Sequence, residues 1–271
     1  MTTRMIDLLT LFNALMPKDR GSRRVASGLA YGGDTRQRLD LYAPRKPVGP
    51  RPVIVFFYGG AWDSGHRQGY AFAARALAAR GFVVAVPDYR LVPQVRYPDF
   101  VRDGAAAVQW VRGHAGIYGG DGERILLAGH SAGAYIAAML ALDREWLGDA
   151  HGAVRGLAGL AGPYDFLPLD DSASIAAFGD WPDLPATQPV AHARPGSVPA
   201  LLLHGEADTR VKPRHSRALA QALAATGNDV RLKRYPGLSH IAIITALAVP
   251  LRGKAPVLDD IASFAREVTE D

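Results

Sequence analysis

Cysteine is missing from all 271 residues, which excludes disulfides, thiolate metal sites and a thiol nucleophile and leaves the redox compartment unread. Runs of lysine or arginine are missing too. The formal net charge is +5, but acidic and basic residues are interspersed and no aromatic-basic cluster accompanies them. No nucleic-acid partner is expected, and the excess of arginine over lysine is read as codon composition. The 8 histidines form no H-E-x-x-H or similar cluster, and no glycine-rich dinucleotide fingerprint opens a βαβ unit, so neither a metal nor a cofactor is expected. No uninterrupted apolar run approaches the ~20 residues of a membrane span, and there is no internal repeat or low-complexity tract.

The opening stretch, Met1 to Met16, is apolar, but Asp7 and Asn13 interrupt it and no small-residue cleavage site follows. An uncleaved N-terminus is expected, and with it the cytoplasm is favoured. The sequence does not fix the compartment or the oligomeric state. Leu8, Leu11, Phe12 and Leu15 recur at helical spacing, predicting an amphipathic helix within residues 1–20 that docks on the domain, with weak peripheral membrane association as the lesser alternative.

What is present is ordinary globular composition, 48% hydrophobic and 21% charged. One domain over residues 1–271 is the reading. Short β-branched runs alternate with alanine-rich helical stretches, the pattern of an α/β fold with a mostly parallel sheet and helices on both faces. Strands are expected at Gln37–Tyr42 (as an edge), Val53–Phe57, Val83–Val86, Arg124–Ala128, Val154–Leu160, Ala200–Leu203 and Val230–Tyr235. Helices are expected at Tyr70–Arg80, Asp99–Gly113, Ala132–Leu142, Ser216–Ala225 and Val257–Val268. Residues 162–199 lack periodicity and are longer than a usual connector, so they are read as an irregular wall of a site with no separate lid domain.

The strongest chemical signal is Gly129-His130-Ser131-Ala132-Gly133 between a strand and a small-residue helix. A G-x-S-x-G elbow puts a serine on a sharp turn above the sheet, where flanking side chains would collide. The helix that follows offers the Ala132 N–H to an oxyanion. A serine hydroxyl needs a base, and the base an orienting acid. Asp208 follows the strand Ala200–Leu203 and His240 follows the strand ending at Tyr235, so both fall on the carboxyl edge with Ser131, in the order Ser, Asp, His. Glu206 and Asp165 are the alternative acids. His192 and His215 follow no strand directly and are given surface roles, while His130 and His204 are given packing or hydrogen-bonding roles. The paired glycines of Tyr58-Gly59-Gly60-Ala61-Trp62, after the strand Val53–Phe57, let backbone amides approach a reacting oxygen. Arg36, Arg38 and Arg51 are read as solvated.

Together with Asp88-Tyr89-Arg90-Leu91, His204-Gly205-Glu206-Ala207-Asp208 and Gly237-Leu238-Ser239-His240, these motifs resemble the α/β-hydrolase esterases related to the hormone-sensitive-lipase-like carboxylesterases and the kynurenine-formamidase-like group, over about residues 30–268. The resemblance implies oxyanion amides at Gly60, Ala61 and Ala132 and a scaffold role for Asp88 to Leu91. Those relatives have histidine where this chain has Tyr58, so Tyr58 is expected either to brace the oxyanion loop or to act as a further oxyanion donor. The expected activity is a short-chain carboxylesterase working through a Ser131 acyl-enzyme on a small-molecule ester. A formamidase or amidase and a lipase or polyester hydrolase are the alternatives. Trp62, Tyr164 and Trp181 are the candidate pocket residues.

Overall fold

The computed structural model describes residues 8–46 and 49–270. Among them, eight strands form one sheet in the order β1-β2-β4-β3-β5-β6-β7-β8. These are β1 (Ser22–Ala30), β2 (Arg38–Pro44), β3 (Arg51–Phe57), β4 (Val83–Pro87), β5 (Gly120–His130), β6 (Val154–Leu160), β7 (Ala200–Gly205) and β8 (Val230–Tyr235). β1 and β2 pair antiparallel, as do β2 and β4, and every pairing from β4 to β8 is parallel. The carboxyl ends of β3, β5, β7 and β8 therefore open on one rim.

The central strands read as continuous apolar runs because they are covered on both faces. Val53 to Phe57 and Ile125 to Ala128 have no exposed surface. The helices in chain order are α1 (Leu8–Leu15), α2 (Ala71–Ala79), α3 (Asp99–His114), α4 (Ala132–Leu142), α5 (Ser172–Phe178), α6 (Arg214–Ala225), α7 (His240–Thr245) and α8 (Val257–Thr269). Every residue of α4 is buried, which accounts for its lack of a polar face. It lies against β3, β5 and β6 on one side and α3 on the other. Gly104 of α3 is where the two helices close, since a Cβ there would press on Ile136 and Leu140.

The reading of the secondary structure needs correction in three places. Residues 37–42 were expected at the sheet edge, but β2 lies inside it, buried from Leu39 to Ala43. The edge on that side is β1, whose two register shifts break the period-two pattern a strand is recognised by. Segment 162–199 is less irregular than its composition predicts. It holds α5, capped by Asp171 Oδ1 accepting from the Ala173 and Ser174 N–H groups at 3.0 and 2.9 Å, and two 3-10 turns at Pro185–Thr187 and Pro189–His192. The N-terminal helix is docked, but by a different face. Leu9 is buried and Phe12 meets Phe72 edge-on at 5.1 Å, whereas Leu11 and Leu15 face solvent. Asn13 fixes this orientation by donating to the Gln68 carbonyl at 2.9 Å and accepting from the Phe72 N–H at 2.9 Å. Met1 to Asp7 and the Leu8 side chain lie outside the described residues.

Candidate active site

Ser131 stands between β5 and α4 with φ 55° and ψ −125°, a conformation that costs a side-chain-bearing residue on the order of 1–3 kcal/mol. The surroundings hold it there. Its N–H donates to the Leu160 carbonyl of β6 at 2.9 Å, and its carbonyl accepts from the Ala134 and Tyr135 N–H groups at 2.9 and 3.1 Å. Gly133 is glycine because a Cβ would run into the Phe57 and Tyr58 carbonyls. The turn thus lifts the hydroxyl off the sheet rim.

Three expected residues come together there. His240, the first residue of α7, places Nε2 2.9 Å from Ser131 Oγ and Nδ1 2.7 Å from Asp208 Oδ2. Because a carboxylate only accepts, Nδ1 carries the proton and Nε2 faces the serine hydroxyl as an acceptor. Asp208 Oδ1 accepts from the Arg210 and Val211 N–H groups at 2.9 and 3.0 Å, and His204 Nε2 lies 3.3 Å from Oδ2. Burial alone would raise the Asp208 carboxyl, but the hydrogen bonds from His204, His240 and Val211 outweigh it and hold the group well below the usual carboxylate range. The acid stays ionised.

The rival residues lie elsewhere. Glu206 is exposed and sits 3.5 Å from Arg234, and His192 donates from Nε2 to the Ala186 carbonyl at 2.8 Å, with Nδ1 3.6 Å from Asp143. His215 is buried rather than superficial, with its pKa pushed down to about 4 by burial and by Arg214; Asp165 faces it. The surface role expected of His215 is therefore corrected.

Across the rim, Gly60 has φ 148°, and a Cβ there would strike the Ser64 carbonyl, so the turn requires glycine. Ala61 and Trp62 follow with φ 50° and 62°. The loop is pinned by the Gly60 carbonyl accepting from Asp63, Ser64 and the Ser64 hydroxyl. Among the described residues, no protein acceptor meets the Gly60 or Ala61 N–H, and Ala132 is the first residue of α4, where an N–H has no intrahelical partner.

Tyr58 is fully buried, stacked on Tyr89 at 4.7 Å. Its hydroxyl accepts from Arg36 Nη2 at 2.7 Å, and its carbonyl accepts from the Tyr89 hydroxyl at 2.9 Å. Arg36 also donates to the Tyr89 and Gly65 carbonyls. Arg36 is thus a brace under the loop and not the solvated residue the sequence reading made it; no motif marks it. Asp88 to Leu91 act structurally, Asp88 binding the Arg67 guanidinium and Arg90 pairing with Asp103 at 2.7 Å. Trp62 packs among Phe100, Tyr135, Phe166 and Phe178. Trp181 is half-buried, edge-on to Tyr97 at 4.9 Å. Tyr164 has no exposed surface and lies against Gly159 and Gly162.

A BD-FAE family profile matches residues 39–223. The chain is 34% identical over 266 residues to a probable isoprenylcysteine alpha-carbonyl methylesterase of Oryza sativa subsp. japonica, covering 89% of this chain and 64% of that one. It thus spans somewhat less than two thirds of that plant relative. To carboxylesterase NlhH of Mycobacterium tuberculosis it is 31% identical over 264 residues, covering 89% of this chain and 81% of the relative. Esterase 2 of Thermogutta terrifontis, solved as its phosphoramylated tabun adduct, superposes with a TM-score of 0.74 at 25% identity, covering 93% of this chain and 96% of the other. With its mostly parallel sheet, its serine elbow and these relatives, the chain belongs to the BD-FAE family of α/β-hydrolases.

Proposed function

We propose that the protein is a serine carboxylesterase acting on short-chain carboxylic esters. The observation that carries this reading is the unbroken line from Ser131 Oγ through His240 to Asp208 Oδ2, with steps of 2.9 and 2.7 Å. Ser131 attacks the ester carbonyl as His240 Nε2 takes its proton. The Gly60, Ala61 and Ala132 N–H groups receive the oxyanion, and the imidazolium, stabilised by ionised Asp208, gives the proton to the departing alcohol. Water repeats the sequence on the acyl-enzyme and releases the acid.

Two further observations bear on the substrate. The rings beside the oxyanion loop are closely packed, Trp62 meeting Phe178 at 4.9 Å and Tyr135 at 5.5 Å between centroids. A long acyl chain would have to displace them, whereas each buried methylene contributes only about 0.8 kcal/mol. That supports acetyl to about hexanoyl groups. Similarity to a methylesterase favours a second reading, a methyl ester of a prenylated cysteine, in which the alcohol lost is methanol.

A p-nitrophenyl ester series from about two to sixteen carbons, run beside an S-farnesylcysteine methyl ester and N-formylkynurenine, tests the assignment. Highest kcat/KM on short esters is expected. A peak at long chains makes it a lipase, dominance of the farnesylcysteine ester selects the second reading, and dominance of the formamide makes it a formamidase. Labelling of Ser131 by a fluorophosphonate reports nucleophile activation independently of substrate choice.

A further inference from the structure

Of the three parts of the site, the sheet joins two directly, since β3 and β5 are paired up to Phe57 and Gly129, but it leaves the base apart from them. The oxyanion loop leaves β3, the elbow leaves β5, and His240 follows β8 at the far edge, three strands beyond β5. A buried chain of hydrogen bonds crosses behind them. The Gly59 N–H donates to the Tyr70 hydroxyl at 3.1 Å, the Tyr70 hydroxyl lies 2.9 Å from His130 Nδ1, and His130 Nε2 lies 2.9 Å from the His240 carbonyl. Tyr70 and His130 are each 1% exposed.

Its polarity follows from the end group. A carbonyl can only accept, so Nε2 of His130 carries a proton. In the neutral ring Nδ1 is then a bare acceptor, and it takes the Tyr70 proton, leaving the Tyr70 oxygen to accept from Gly59. Every donor points the same way, from the oxyanion loop through the elbow to the backbone of the base. Burial, then the neighbouring His240, push the His130 pKa down to about 3, in keeping with the neutral ring this order requires.

We propose that the Tyr70–His130 pair is a positioning device for the reaction, holding the oxyanion loop and the His240 backbone in register on Ser131. It rests on the esterase reading above. Neither residue hydrogen-bonds to Ser131 Oγ or to the His240 ring nitrogens, although the His130 ring packs against that of His240 at 4.9 Å between centroids. Gly59 immediately precedes the oxyanion residue Gly60, and His130 immediately precedes Ser131, so losing either link lets two of the three parts drift. A misplacement of about 1 Å can cost on the order of 100-fold in rate.

The test is Tyr70→Phe, which deletes the linking hydroxyl and keeps the ring in its place against Phe56, Tyr58 and Phe72. On p-nitrophenyl butyrate, kcat should fall about tenfold while KM stays within about twofold, since the ground-state contacts are untouched. Tyr42→Phe, which removes a buried hydroxyl on β2 close to Asp40, serves as the control for stability loss alone and should leave kcat unchanged. A second pair covers failure of Tyr70→Phe to fold. His130→Gln can still donate toward the His240 carbonyl and accept from Tyr70, so it should keep kcat within about threefold, while His130→Leu loses about tenfold. Unchanged kcat in Tyr70→Phe, or equal losses in the two His130 variants, overturns the positioning role while the esterase reading stands. A wild-type protein that neither hydrolyses the ester nor labels at Ser131 overturns the reaction itself, and the positioning role with it.

Discussion

His204 Nε2 lies 3.3 Å from Asp208 Oδ2, the oxygen that also receives His240 Nδ1 at 2.7 Å. The shorter contact of His204 Nε2 is to the Val211 carbonyl at 2.8 Å, and its Nδ1 meets the Ser216 hydroxyl at 2.7 Å. With carbonyl and carboxylate both accepting at Nε2, His204 is a donor there and fixes the carboxylate from behind. Asp208→Asn should therefore lower kcat by about 10,000-fold, because an amide in that place stabilises the wrong tautomer of His240. His204→Leu should cost less, about tenfold, since the two backbone donors to Oδ1 remain. Steady-state rates on a short p-nitrophenyl ester measure both. Full activity in Asp208→Asn together with inactive Glu206→Gln or Asp165→Asn would move the acid to another loop.

The Arg36 contact supports one of the two roles expected of Tyr58. Its hydroxyl is fully buried under the loop, where it accepts from a guanidinium, so the brace is the role favoured. Tyr58→Phe should leave kcat within about twofold, where loss of an oxyanion donor would cost on the order of 100-fold. Stability should drop instead, by about 1 kcal/mol, because the half-buried Arg36 guanidinium loses an acceptor. Chemical denaturation and kcat on the same samples separate the outcomes, and a large kcat loss without destabilisation would restore the donor role.

Much of this site is legible in the sequence, and for a physical reason. Ser131 and Asp208 each follow a strand whose apolar run is unmistakable, His240 follows a strand in which apolar and basic residues alternate, and the parallel sheet delivers strand ends to one rim whatever the intervening chain does. Gly59-Gly60 and Gly133 are legible because close backbone approach leaves no room for a Cβ. Arg36 and Tyr70 are not legible as supports, because their partners are backbone groups and side chains distant along the chain, and no local spacing encodes such a meeting; the packing or hydrogen-bonding role expected of His204 fits its contacts to Val211 and Ser216. β1 escaped because its bulges and surface arginines erase the alternation. The helix face of α1 was misjudged because Leu11 and Leu15 fit the apolar period, while the polar bonds of Asn13 set the rotation.

The strain at Ser131 gives a stability prediction opposite to its effect on activity. Replacing a residue at φ 55°, ψ −125° by glycine removes the steric cost, whereas alanine retains it. Glycine's greater freedom when unfolded offsets part of this gain. Ser131→Gly should be more stable than Ser131→Ala by about 1 kcal/mol, with both variants inactive and neither labelled by a fluorophosphonate. Equal melting temperatures would mean that the elbow relaxes on substitution.

Acid stability tests the buried histidines. His130 and His215 have pKa values pushed down to about 3 and about 4, in both cases chiefly by burial, against ~6.5 in an unfolded chain. Between those values the unfolded state binds a proton that the folded state refuses, so the proton-number difference is positive and stability rises with pH. Run in the other direction, the stabilising contribution is complete above about pH 6.5 and is lost on acidification, at about 1.4 kcal/mol per pH unit for each histidine, until the folded-state values are reached. Asp208 adds to the loss below about pH 4, where an unfolded aspartate takes up a proton and the hydrogen-bonded carboxylate does not. Urea unfolding at a series of pH values should therefore show stability falling steeply below pH ~6. His130→Gln removes one of the two histidine contributions, and its slope between about pH 6 and pH 4 should be shallower by about 1.4 kcal/mol per unit. Parallel slopes for wild type and His130→Gln would show that His130 takes up its proton in the folded protein as readily as in the unfolded chain.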